Sequence, residues 1–410
     1  MIRNVVVEVS HLLRKKEGSG LARRRLLSGL GRLREVHEAV RIGTEAGRWP
    51  HLQLPDDAEL AAVREIAAEL RRRAPRLAVV GQPGAIAALR AITEAFGAES
   101  PRWISSPDGA GLDDLDSPEV AWLVLEGPAW ADQVAEWAVG RGRVVAMAGA
   151  GTHDAPPNGW WISDPVAGDG RFAGLGAAAA LCAAWAGVDI EAVHDGARDM
   201  VAACQRSALF ENPSYTLALT TLFLERDLGV TIPVHVATSG RMEAFTRWLV
   251  RMWGAVLADS VPVEGLMRHV GAAGVSGVVG DEELIQVLLL GPRDKHVTLW
   301  DVTDGGTGRG SAEASLQSRA LQTLLDRENI PYLRVRLPGL DARALGAAMF
   351  LAEHSAVTAS LFLAVDPLGL AGVSAWYAAL DRARSEAEGN ASGHASTDAG
   401  SDVDAGPPTE

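Results

Sequence analysis

RLAVVGQPGAIAALRAITEAF, residues 76–96, reads as a short apolar run, a glycine turn and an alanine-rich helix. Leu77 to Val80 has the length of a buried strand, Gly81-Gln82-Pro83-Gly84 breaks it, and the helical pattern follows at once. Strand, glycine turn and helix together make the first half of a βαβ unit. The unit recurs outward along the chain. Val120 to Leu125 reads as a strand, Ala129 to Val139 as a helix and Arg143 to Ala148 as another strand. Apolar runs that alternate with helices predict a parallel sheet covered on both faces. Residues 172–187, almost all Ala, Gly and Leu with Trp185, predict a closely packed buried helix.

A second series starts at Thr231. Residues 231–238 predict a strand, Met242 to Trp253 a helix, and Leu284 to Leu290 and Val297 to Val302 two strands. Ala312 to Asp326 reads as a helix, Tyr332 to Leu337 as a strand and 341–363 as a long apolar helix. The expectation is an α/β protein with mostly parallel sheets flanked by helices. Its parts are an N-terminal helical segment (1–74), two α/β domains (75–210 and 211–365) and a C-terminal helical segment (366–384). Asp56-Asp57 form a plausible N-cap for a helix that ends near Arg73. Residues 385–410 carry six carboxylates, no Lys or Arg, and many small residues, so a disordered acidic tail is expected there.

Composition narrows the function classes. A net charge of −14 argues against general nucleic-acid binding. No run of eighteen apolar residues escapes interruption by charge, Gly or Pro, so no membrane span is expected. The opening residues lack a small-residue cleavage site, and with only Cys182 and Cys204 there is no disulfide framework. A cytoplasmic protein is expected. Ten histidines are scattered without ligand spacing, which predicts no metal site, and nothing in the chain calls for a cofactor. His354 beside Glu353 reads as a packed helix residue. The basic run from Arg14 to Arg25 reads as a solvated helix face, with an anionic partner as the other reading. Trp160-Trp161 is the aromatic pair expected at a contact, and Gly305-Gly306-Thr307-Gly308 reads as a mobile loop.

Four collinear stretches resemble bacterial phosphoglucose isomerases. They are residues 164–199, with Gly168-Asp169-Gly170-Arg171, 211–254, ending in Trp253-Gly254, 288–302, with Gly291-Pro292-Arg293-Asp294-Lys295, and 340–377. The resemblance covers roughly 160–380, and 75–150 fits more loosely. It implies two sugar-isomerase-type domains, a homodimer, and a site in the cleft between domains. It also implies an aldose–ketose phosphate isomerisation of glycolysis and gluconeogenesis. That chemistry needs donor-rich phosphate loops, a ring-opening acid/base pair, a carboxylate that moves a proton between C1 and C2, and a cation beside the enediolate.

Residue by residue, most of these groups are replaced. The first phosphate loop of the family aligns with Gly81-Gln82-Pro83-Gly84-Ala85, where Pro83 has no N–H and Ala85 no hydroxyl. The second aligns with Glu126-Gly127-Pro128-Ala129, where hydroxyl donors have given way to an acid. Ala255 falls at the catalytic glutamate position, Glu282 at the ring-opening histidine and Tyr377 at the C-terminal lysine. Arg171 is retained, and Gly81, Gly84 and Gly127 keep the outline of the phosphate loops. Arg171 either holds an anionic ligand, pairs with Asp169 or caps a carbonyl. Glu282, beside Asp281 and Glu283, is a replacement base, a metal ligand or a solvated helix start.

Loss of one positioned acid or base costs roughly 10²–10⁴ in rate, and here several are absent together. The sequence therefore predicts a catalytically impaired homologue that binds a sugar phosphate or a protein partner. Two other readings stand beside it. One is a working isomerase rebuilt around Glu282 and Arg171, and the other is a regulatory or stabilising subunit in a heteromer with an intact isomerase.

Overall fold

The stretch at 76–96 forms the elements its pattern predicts, a strand over Arg76–Val80 and a helix over Pro83–Thr93. The computed structural model describes residues 5–14, 21, 23–96, 99–106, 113–127, 129–258, 274–303, 309–369 and 371–397. In chain order the elements begin β1 (Val6–Glu8), α1 (Arg23–Ser28), α2 (Leu30–Glu45), α3 (Asp57–Arg73), β2 (Arg76–Val80) and α4 (Pro83–Thr93). Next come β3 (Arg102–Ile104), β4 (Val120–Leu125), α5 (Ala129–Gly140), β5 (Val145–Gly149), β6 (Trp160–Ser163) and α6 (Ala177–Trp185). The middle of the chain holds α7 (Ile190–Cys204), α8 (Pro213–Leu228), β7 (Ile232–Ala237), α9 (Glu243–Leu257) and β8 (Val275–Val278). The last elements are α10 (Glu282–Leu290), β9 (Lys295–Val302), α11 (Arg309–Arg327), β10 (Tyr332–Leu337), α12 (Ala342–Phe362) and α13 (Ala371–Thr397).

Two five-stranded sheets result. The first has the order β3-β2-β4-β5-β6 and is parallel throughout, in register from Leu77↔Ala121 to Val80↔Val124 at its centre. The second has the order β1-β10-β9-β7-β8 and is parallel except for β1. All six residues of β4 and all eight of β9 are buried, which is what continuous apolar runs in a covered parallel sheet require. Asp56 caps α3 as its position predicts. It accepts the Glu59 N–H at 2.8 Å while Glu59 accepts the Asp56 N–H at 2.8 Å, a reciprocal capping box.

α4 of the first sheet packs on α9 of the second, and α12 packs on α7, α8 and α9. α12 has the length and apolarity of a membrane span, but it is buried as a core helix. By contacts, Met1–Pro367 makes one compact unit and Leu368–Glu410 another.

The structure corrects three local expectations. Leu284–Leu290 lies in helix α10. Asp281 caps that helix by accepting the Leu284 N–H at 2.9 Å, and only the Leu284 and Leu288 stripe is buried while Leu290 is 75% exposed. A short apolar run does not separate strand from helix by periodicity. The N-terminal segment, expected to be helical, contributes β1, where a valine run pairs antiparallel with β10 and Glu8 reaches Arg336 at 2.6 Å. At the other end α13 runs to Thr397, past the start of the expected disorder, through residues where the helix formers Ala and Glu recur. Residues 398–410 and the 305–308 glycine run lie outside the described residues.

Candidate functional site

Strand order places the candidate site. From β2 the chain runs to β3 on one side and returns to β4 on the other, so the sheet reverses direction between β2 and β4. Ligands of open α/β sheets bind at the carboxyl ends of strands beside such a reversal. The turn after β2 holds Gly81 and Gly84, and the turn after β4 holds Glu126 and Gly127. The two turns touch: a Cβ added at Gly127 would lie 3.2 Å from Gln82 Nε2, and one at Gly81 would lie 2.9 Å from Leu125 Cδ1.

The loop after β6 closes over them. A Cβ added at Gly84 would lie 3.1 Å from Gly170 Cα, and one at Gly170 would lie 2.5 Å from Gly84 Cα. Backbone therefore packs on backbone, which sets Arg171 beside the first turn of α4. The Trp248 indole on α9 donates to the Gly170 carbonyl at 3.1 Å, and Arg251 Nη1 donates to the Pro83 carbonyl at 3.5 Å. Among the predicted site residues, Gly81, Gly84, Gly127 and Arg171 are brought to one crest.

Arg171 is buried, with 5% of its surface exposed. Its Nε lies 3.0 Å from Asp169 Oδ1, Nη2 lies 2.8 Å from Asp169 Oδ2, and Nη1 donates to the Pro367 carbonyl at 2.9 Å. The backbone N–H of Arg171 also donates to Asp169 Oδ1, at 2.9 Å. Both structural readings of Arg171, the ion pair and the carbonyl cap, are thus realised at once. A planar fork bound in this bidentate way is a strong and rigid contact.

A second group of ionisable side chains lies nearby, at positions the sequence reads only as packing. Glu353 on α12 is fully buried, and neither carboxyl oxygen finds a hydrogen-bond partner among the described residues. Burial, with Asp169 adding to it, pushes its carboxyl well above the ordinary value of 4.5. The next residue, His354, shares a 3.1 Å hydrogen bond with His51, and the His51 ring stacks on Phe172 at 5.4 Å. Burial first, then His354, holds His51 well below 6.5, and burial lowers His354 to about 4. The sequence does carry a signal for Glu353, an acid placed inside an otherwise apolar helix.

The remaining predicted positions have the following settings. Ala255 sits on the exposed side of α9, two residues past the buried Trp253. Glu282 is exposed in the first turn of α10, which follows β8 at the edge of the second sheet. Tyr377 belongs to α13 in the C-terminal unit. Trp160 and Trp161 are half-buried on the edge strand β6, with Arg73 5.1 Å above the Trp160 ring.

No family model matches the sequence. Relatives named as glucose-6-phosphate isomerases do. A probable glucose-6-phosphate isomerase of Natronomonas pharaonis is 26% identical over 386 residues, covering 82% of this chain and 85% of that one. The glucose-6-phosphate isomerase of Rubrobacter xylanophilus is 24% identical over 305 residues, covering 65% and 69%. Among solved structures, a hypothetical protein of Thermus thermophilus superposes with a TM-score of 0.75 at 18% identity, covering 93% and 99% of the two chains. A glucose-6-phosphate isomerase from Chlamydia trachomatis superposes with a TM-score of 0.69 at 16% identity, covering 81% and 74%. The chain is thus similar in sequence, over more than four fifths of its length, to a protein named as a probable glucose-6-phosphate isomerase, and it shares its fold with a solved glucose-6-phosphate isomerase.

Proposed function

We propose that this chain is a catalytically silent homologue of glucose-6-phosphate isomerase, one that acts by binding rather than by turnover. The observation that carries the reading is Ala255. Moving a proton between C1 and C2 of a sugar phosphate requires a base within hydrogen-bond reach of those carbons. On α9, where the family resemblance puts that carboxylate, this chain presents a methyl group. Arg171 supports the same reading, because its guanidinium is already engaged by Asp169 and the Pro367 carbonyl. Glu282 sits exposed at a helix start, a setting in which a carboxylate stabilises the helix without any catalytic role.

The test is a coupled assay of fructose 6-phosphate conversion to glucose 6-phosphate, on protein purified from a host lacking its own isomerase. Turnover at background is the expected result. Turnover above about 1 s⁻¹, the low end for enzymes, overturns the proposal and makes Glu282 the first position to change.

A further inference from the structure

Glu126 stands at the carboxyl end of β4, on the reversal point of the first sheet. Its carboxylate Oε2 accepts the Ala150 N–H at 2.6 Å, which uses a backbone donor from the turn after β5. Two glycines make room for it. A Cβ added at Gly149 would collide with Glu126 Oε2, and one at Gly168 would collide with the Glu126 carbonyl oxygen. The turns after β5 and β6 are therefore shaped around this residue. Among the described residues no ion pair neutralises Glu126, and its field adds to burial in raising the carboxyl of Asp132 above the ordinary range.

An uncompensated carboxylate seated on a backbone N–H occupies the place in which an anionic ligand would be received. Like charges at close range repel, and at this exposed turn the repulsion is moderated by solvent without being abolished. We propose that Glu126 is a specificity-determining residue: its carboxylate serves as an internal anion that takes the crest's backbone donor and turns dianionic ligands away. The inference rests on the crest being the ligand site, and it concerns binding, so it stands apart from whether the chain turns over substrate.

The test titrates the full chain and two variants with inorganic phosphate and with glucose 6-phosphate by calorimetry, each variant first checked by thermal melt. Glu126→Ala removes charge and bulk. Glu126→Gln keeps the bulk and an oxygen for the Ala150 N–H but removes the charge. The expected result is weak binding by the wild-type chain, with a Kd on the order of 10 mM. Glu126→Ala should bind on the order of tenfold tighter than wild type, the scale of one charge-assisted contact, with Glu126→Gln between the two. Affinities of both variants within twofold of wild type overturn the proposal, and so does micromolar phosphate binding by the unmodified chain. Should the alanine variant melt early, the glutamine variant decides alone. Failure of the silent-homologue reading appears separately, as turnover in the coupled assay.

Discussion

Asp169 grips Arg171 with both carboxylate oxygens, Nε at 3.0 Å from Oδ1 and Nη2 at 2.8 Å from Oδ2, while the arginine side chain keeps only 6% of its surface exposed. This makes Arg171 a structural clamp in the resting fold. Removing the arginine leaves Asp169, whose side chain is 26% exposed, only partly solvated. Arg171→Gln should therefore cost about 1–3 kcal/mol, read as a drop in the urea midpoint at unchanged slope. Arg171→Lys should recover little of it, because an ammonium cannot fork across Asp169 and still reach the Pro367 carbonyl. A stability change within about 0.5 kcal/mol for Arg171→Gln, the scale of a surface substitution, would return Arg171 to the role of an anion-holding side chain.

Gly84 and Gly170 meet backbone to backbone, and the contact is not symmetric. A methyl at Gly170 lands 2.5 Å from Gly84 Cα, a main-chain atom that moves only if α4 moves, whereas one at Gly84 lies 3.1 Å from Gly170 Cα. Gly170→Ala should cost about 1–3 kcal/mol, the range for forcing atoms into a packed region. Gly84→Ala should cost less, since alanine in a helix regains up to about 1 kcal/mol of propensity. Thermal melts of the pair give the order, and equal costs would mean that the loop yields rather than the helix.

The sequence made the parallel sheets legible because their strands are apolar runs buried on both faces, as at Val120–Leu125. β3, β6 and β8, three or four residues each, fell below the length at which such a run stands out. β1 was hidden for another reason: its pairing with β10 spans more than 320 positions, and no local pattern encodes that contact. At the site, motif spacing singled out Arg171 and the glycine turns, which the fold brings close together. It offered the Asp169 pairing as one reading of Arg171 but left the choice open, because that choice depends on the turn geometry of 169–171. Nor did it reveal the seat of Glu126 between Gly149 and Gly168, formed by two loops distant in sequence.

Glu353 gives the fold an alkaline weakness. Its carboxyl is held above the ordinary 4.5 by burial and then by Asp169, so the folded chain keeps a proton that the unfolded chain has released. The unfolded state binds fewer protons above pH 4.5, so the stability contributed by neutral Glu353 declines as pH rises until the folded value is passed. Glu353→Gln keeps the shape without the proton. Melts from pH 5 to 9 should show the variant level with wild type near pH 5 and progressively more stable above it. A variant less stable at every pH would mean that Glu353 works as a charged partner.

His354, the neighbour of Glu353, acts on the acid side. Burial lowers its pKa from 6.5 to about 4, so the folded chain holds it neutral where the unfolded chain takes a proton. The stability it contributes is complete above pH 6.5 and is lost as pH falls from there toward 4. His51, its 3.1 Å partner, is shifted the same way, so protonating either ring places a charge against the other inside the core. His354→Gln keeps a polar group within reach of His51 and removes the titration. The expected outcome is a lower melting temperature at pH 7, from imperfect packing against Phe350, with a shallower decline between pH 6.5 and 4 than wild type shows. The slope is the deciding quantity, because packing loss alone lowers the whole curve in parallel. An unchanged slope would place the acid sensitivity in the other buried histidines, foremost His235, whose pKa burial lowers to about 3.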